Sequence, residues 1–405
     1  MNDMASENGV REREQRPPPY AGPAVFAAGF RPFFLAAGVW AVVALALSVL
    51  TVSGAVDLPV ADPIFWHFHE MLFGYVAAAV AGFLLTAVPN WTGSLPVRGR
   101  PLIALTALWL AGRAAMLASP LIGEVAAAAV DLAFLAAMFG FALREIVAAG
   151  NRRNLPIVVA VFLLLLANAA SHGHAVGAID SLEVAVRLGV GVMAALVMLI
   201  GGRVTPSFTR NWLVKQGSDR LPAPFGAVDK AAIVVTVAGL AGWAAGAPPP
   251  LTGGLLALAG LLNVVRLSRW QGRRAAAEPL LLVLHVGYLW LAAGLGLAAA
   301  AAYGLVAEIA AIHGLAAGAV GTMTLAVMSR ATLGHTGRAL HAGPALTAAY
   351  VLVSLAALTR VAAAVASASH GPLLHVSALA WIAAFALFLF VCGPMLLTRG
   401  RAAGG

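Results

Sequence analysis

The chain has 405 residues, 61% of them apolar and only 10% charged, and its mean hydropathy is +0.91. A soluble fold of this length cannot hide that much apolar surface, so an all-α polytopic membrane protein is expected, with the lipid bilayer as its solvent. The net charge of +9 does not point to nucleic acid, because the basic residues lie in short loops between apolar runs. The single cysteine, Cys392, excludes an internal disulfide, a thiolate-ligated iron–sulfur cluster and a Cys-x-x-Cys-His haem attachment.

The residues through Tyr20 are polar and charged, include the run Pro17-Pro18-Pro19, and lack the apolar core of a cleavable signal peptide. A disordered cytoplasmic tail is expected over residues 1–30 and a single polytopic transmembrane domain over residues 31–400. Twelve apolar runs can be marked. The first six are Phe33–Val52, Ile64–Val88, Leu102–Ala118, Val125–Leu143, Pro156–Ala170 and Val184–Ile200. The second six are Gly226–Ala245, Leu251–Leu267, Leu280–Ala301, Val306–Met328, Pro344–Ala366 and Val376–Leu397. The fifth and eighth are shorter than the ~20 residues that cross hydrocarbon easily.

The loops after even-numbered runs carry the arginines and lysines, among them Arg98, Arg100, Arg152, Arg153, Arg210, Lys215, Arg273 and Arg338. The other loops carry acids: Asp57, Asp62, Glu124, Asp180, Glu183 and Glu308. By the positive-inside rule both termini are cytoplasmic. The inner ends of spans two, six and ten read Asn90-Trp91-Thr92, Arg203-Val204-Thr205 and Arg330-Ala331-Thr332, a faint hint of a threefold four-helix repeat.

Charges within spans are few. Arg113 and Asp131 sit at matching depths on spans three and four and should form an ion pair of structural importance. Arg187 and Arg360 have no obvious acidic mate; they either snorkel to the interface or hold an anion such as a haem propionate. Span two opens on Trp66-His67-Phe68-His69-Glu70-Met71, and its histidines share the outer level with His172 and His174 of span five and His313 of span ten. Towards the inner side lie His285, His335 and His341. On a helix, His67 and Glu70 share a face, whereas His67 and His69 point to nearly opposite sides. Imidazole without thiolate suits haem iron, copper or zinc. Two axial histidines from different spans would give a b-type haem, and two or three histidines with an open position suit copper. For His285 the simpler reading is a histidine bonded to a backbone carbonyl, and for the Met193/Met198 and Met323/Met328 pairs it is ordinary packing.

Several stretches together resemble the NnrS family. They are Gly29-Phe30-Arg31-Pro32-Phe33-Phe34, Trp66-His67-Phe68-His69-Glu70-Met71-Leu72-Phe73-Gly74, Gly82-Phe83-Leu84-Leu85-Thr86-Ala87-Val88-Pro89-Asn90-Trp91-Thr92-Gly93, and the tenth-span run from Met323 to Arg338. Gly202-Arg203-Val204-Thr205-Pro206 and Leu284-His285-Val286-Gly287-Tyr288 match as well. The resemblance implies a bacterial inner-membrane protein of twelve spans, carrying haem and copper and tied to nitric oxide metabolism and resistance to nitrosative stress. It implies His67, His69, His172, His285, His313 and His335 as candidate ligands. Haem–copper oxidases have similar architecture, but no His-Pro-Glu-Val-Tyr occurs on span six, so membership there is excluded.

The expected arrangement is an outer haem b held by His313 and by His67 or His69, with Glu70 orienting a ligand and Arg187 and Arg360 near the propionates. His172 is the alternative axial or copper ligand, and His285 and His335 form an inner copper pair. The ligand to be handled is nitric oxide or a related small molecule, and the electron donor is unknown. The competing readings are a secondary transporter and a membrane accessory protein for denitrification enzymes.

Overall fold

The structure, a computed structural model, describes residues 20–60, 62–365 and 370–399. Most of the expected tail, residues 1–19, lies outside the described residues, as do Ala366 at the end of the eleventh expected span and the chain end beyond 399. Residues 20–22 are tied to the other end of the chain, because the Arg399 guanidinium donates to the carbonyls of Tyr20, Ala21 and Gly22.

Among the described residues, twelve helices are long and apolar enough to cross a membrane. They are α1 (Phe30–Val52), α2 (Pro63–Thr92), α3 (Arg100–Leu117), α4 (Glu124–Ala148), α5 (Arg152–Ala175), α6 (Leu182–Lys215), α7 (Ala227–Ala244), α8 (Pro249–Ser268), α9 (Pro279–Ala302), α10 (Glu308–His335), α11 (Pro344–Val365) and α12 (His370–Leu397). No strand occurs among the described residues, and the protein is an all-α, multi-pass membrane protein. The helix starts follow local chemistry. Asp62 Oδ1 accepts from the backbone N–H groups of Ile64 and Phe65 at 2.8 and 3.2 Å, ahead of Pro63 at the first helical position. Ser181 does the same for α6, accepting from the Glu183 N–H at 3.1 Å. Glu278 caps α9 through the Leu280 N–H at 3.0 Å and also accepts from the Ala342 N–H and the His341 ring. Burial pushes the Glu278 carboxyl up, but these donors, His341 first, more than offset it and hold the group below the usual glutamate value.

The core runs along α2 and α10, whose apolar windows are 78% and 67% buried, with α6 and α9 next at 61% each. Within α2, α6 and α10 the helix widens into π segments at Glu70–Val76, Val197–Gly201 and Gly314–Gly321. These are the three spans whose ends carry the similar triplets. Such segments are uncommon and concentrate at functional sites, because the widened turn re-aims the side chains that follow it.

Two expected spans change length for a physical reason. The fifth run looked short because Ser171 and His172 end its apolar pattern, yet α5 continues through them to Ala175 with both buried in the protein. The sixth continues past its apolar part to Lys215 as a more polar helix. Below, the two ends of the bundle are called acidic and basic after their loops. If the acidic end is periplasmic, Asp57→Cys and His370→Cys in a Cys392→Ser background should react with an impermeant maleimide in intact spheroplasts. Arg152→Cys and Lys215→Cys should react only after lysis, and labelling of position 152 in intact spheroplasts would reverse the orientation.

Candidate metal and anion sites

A polar cluster lies buried between α2, α3, α4 and α5 near the acidic end. His69 and Glu70 come from the start of the α2 π segment, Arg113 from α3, Asp131 from α4, and Asn168 and His172 from α5; none is more than 4% exposed. Arg113 donates to Glu70 Oε2 at 2.9 Å and to Asp131 Oδ1. The expected Arg113–Asp131 pair therefore forms, but as part of a larger network. Trp40 Nε1 donates to the same Glu70 oxygen at 2.6 Å, and the other, Oε1, lies 3.2 Å from His69 Nδ1. Asp131 Oδ2 is the second hub: His69 Nε2 lies 3.2 Å away, His172 Nε2 3.1 Å, and Asn168 Nδ2 donates to it at 2.7 Å. Gly74 makes the network possible, since a Cβ there would stand 2.5–2.7 Å from Trp40 Nε1, Arg113 Nη1 and Glu70 Oε2.

His67 and His69 do point to different sides of α2, as helical spacing predicts. Glu70, however, joins His69 and not His67, because the helix widens from Glu70 onward and re-aims that side chain. His67 belongs to a separate group with His313 of α10 and Arg360 of α11. The start of α10, which carries His313, packs on α11, which carries Arg360, and the three groups are near neighbours with no hydrogen bond between them. His67 Nδ1 and Arg360 Nη1 are buried without a partner, as is the neighbouring Trp66 Nε1. His313 Nδ1 donates to the Ile309 carbonyl at 2.9 Å, which leaves Nε2 with its lone pair free.

The remaining candidates separate. Arg187 has acidic mates after all: it binds Glu308 through two nitrogens at 2.6 and 2.9 Å and also pairs with Glu183, while Trp243 donates to Glu308 at 2.8 Å. Glu308 had been read as a loop acid, and folding brings it to α6 from 121 positions away. Of the two arginines, Arg360 is the one with a buried nitrogen that has no partner. His285 and His335, expected as a pair, have different surroundings. His285 Nδ1 donates to the Leu281 carbonyl at 3.1 Å, and its ring lies beside Trp270 and Thr209. His335 stacks on Phe30 of α1. The carbonyl-bonded reading of His285 is the one observed.

Two residues of the cluster escaped sequence reasoning. Asn168 left a trace only as a polar interruption of an apolar run, and Trp40 left none, because an indole in a span is usually packing. Residues of α1, α2, α5, α6 and α10 also line a small, partly open apolar pocket of about 70 Å³, among them Phe34, Phe83, Met193, Leu196, Met323 and Val327. Comparison with known proteins gives one family, described as NnrS protein, whose model matches residues 24–399. No curated protein matches the sequence.

Proposed function

The chain belongs to the NnrS protein family, and from that premise we propose that it is a haem- and copper-carrying protein that handles nitric oxide and protects against nitrosative stress. Its place would be the bacterial inner membrane, with the acidic end outward and electrons supplied by an unidentified donor. The observation that carries the reading is the meeting of His67, His313 and Arg360 at the acidic end. Two imidazoles from separate helices and a guanidinium with an unpartnered nitrogen form the donor set of a b-type haem.

His313 and His67 would hold the haem iron, and Arg360 would offer its charge to an acidic group of the haem. When bound, the haem would supply an iron that exchanges electrons. The chain's own work there is orientation and charge. The Ile309 carbonyl fixes the His313 tautomer by holding Nδ1–H, so Nε2 is presented without a competing proton. Arg360 supplies a positive charge in a poorly solvated place, which favours an anionic group beside the two rings. His69 is held within its own polar cluster, which favours His67 as the partner from α2. The small apolar pocket lined by α1, α2, α5, α6 and α10 would suit an apolar diatomic molecule.

Purified protein should show a Soret band that shifts on reduction. His313→Ala and His67→Ala should each lose most of the haem, while His285→Ala keeps it. A parent protein without haem absorption, or both variants retaining full haem in a well-folded protein, would sink the reading.

A further inference from the structure

We propose that His69, His172 and Asp131 form a site for one divalent first-row transition-metal ion, with copper bound most tightly. The site is distinct from the His67–His313–Arg360 group, and the proposal rests on the copper part of the reading above, naming residues for it, and not on the haem part.

The argument begins with lone pairs. His69 Nδ1 faces a carboxylate oxygen of Glu70 at 3.2 Å, and its Nε2 faces Asp131 Oδ2 at 3.2 Å and Asn168 Oδ1 at 3.0 Å. Every neighbour is an acceptor, but a neutral imidazole carries a single N–H. With that proton on Nδ1, donated to Glu70, the Nε2 lone pair faces two oxygens, and a second cation resolves the arrangement, either a proton on Nε2 or a metal ion in its place. A carboxylate holding the far nitrogen of a histidine is also the usual support of a metal-ligating imidazole.

Distances agree with this. Donor atoms bound at 2.0–2.2 Å in a tetrahedral site stand about 3.3 Å apart. Asp131 Oδ2 lies 3.2 Å from His69 Nε2 and 3.1 Å from His172 Nε2, and donor atoms of the three residues all lie within 4.8 Å of one another. Arg113 occupies the other Asp131 oxygen, so Oδ2 alone is left to ligate. All three residues are at most 3% exposed, and they come from α2, α4 and α5, so the site is assembled by the fold and not by one flexible segment. Two imidazoles and one carboxylate suit copper, zinc or iron(II), and in the general affinity order copper(II) leads.

The test uses the full-length protein in detergent, stripped with chelator and titrated with Cu²⁺. The parent should retain one equivalent at this site, with an electron paramagnetic resonance spectrum showing coupling to two imidazole nitrogens. His172→Ala should reduce that to one nitrogen and weaken binding at least as much as Glu70→Gln, for which a loss of about 10- to 100-fold is expected. His375→Ala should leave copper binding unchanged, and the haem content of every variant is read separately from its Soret band. Unchanged copper affinity in both His69→Ala and His172→Ala, at parental helix content, would overturn the proposal. Should those variants fail to fold, the parent spectrum decides, because a bound Cu²⁺ without two-imidazole coupling overturns it equally.

Discussion

Arg113→Ala is expected to destabilise the folded protein by about 3–5 kcal/mol, the usual cost of removing one partner from a buried ion pair. Arg113 is 4% exposed and is the guanidinium that binds both Glu70 and Asp131, so its loss strands two buried carboxylates at once. Unfolding in mixed micelles of mild detergent and dodecyl sulfate, followed by circular dichroism, measures the change. Arg144→Ala is the internal control, since Arg144 pairs with Glu145 at the surface and should contribute almost nothing. Arg113→Met combined with Glu70→Gln and Asp131→Asn should recover part of the loss, because the triple variant carries no unpaired charge. Equal unfolding midpoints for Arg113→Ala and the parent would mean that the network does not exist as described.

Arg266→Ala should be nearly as damaging, at about 3 kcal/mol, the lower end of the same range. Arg266 is 1% exposed; it binds Asp229 at 2.8 Å and the Tyr288 hydroxyl at 2.7 Å. It also donates to the carbonyls of Met198, within the α6 π segment, and Gly202, just after it, and it lies over the rings of Trp270 and Tyr288. The effect is smaller than for Arg113 because Arg269 would still neutralise Asp229, at 3.1 Å. Gly202 is what admits the guanidinium, since a Cβ there would stand 2.6 Å from two of its nitrogens. Arg266→Lys should rescue little, because one ammonium cannot reach a carboxylate, a phenol and two carbonyls together. A fully stable Arg266→Lys would show that charge alone, and not the fork geometry, holds α8 against α6.

Several of these features could be read before any coordinates. Arg113 and Asp131 stood out because each is a charge in an apolar run, and counting residues from a shared short loop put them at one level. The histidines His67, His69, His172 and His313 were placed at the acidic end by the same counting. Glu70's allegiance could not be counted, because it depends on a π turn that begins at that residue. Asn168 was hidden for a related reason: a polar residue facing the protein interior lowers local hydropathy just as a loop does. The Arg187–Glu308 pair was missed because a residue at a helix end reads as loop, although its depth matched.

What the sequence determined was depth. Transfer between water and hydrocarbon sorts residues along the membrane normal, and that one-dimensional sorting is written in hydropathy and in the placement of arginine and lysine. Tertiary structure decided direction around each helix axis. It sent His69 to Asp131 and His172, left His67 beside His313 and Arg360, and parted His285 from His335. Direction depends on which helices pack together and on where a widened turn or a glycine lets a guanidinium in, and those contacts join residues far apart in the chain.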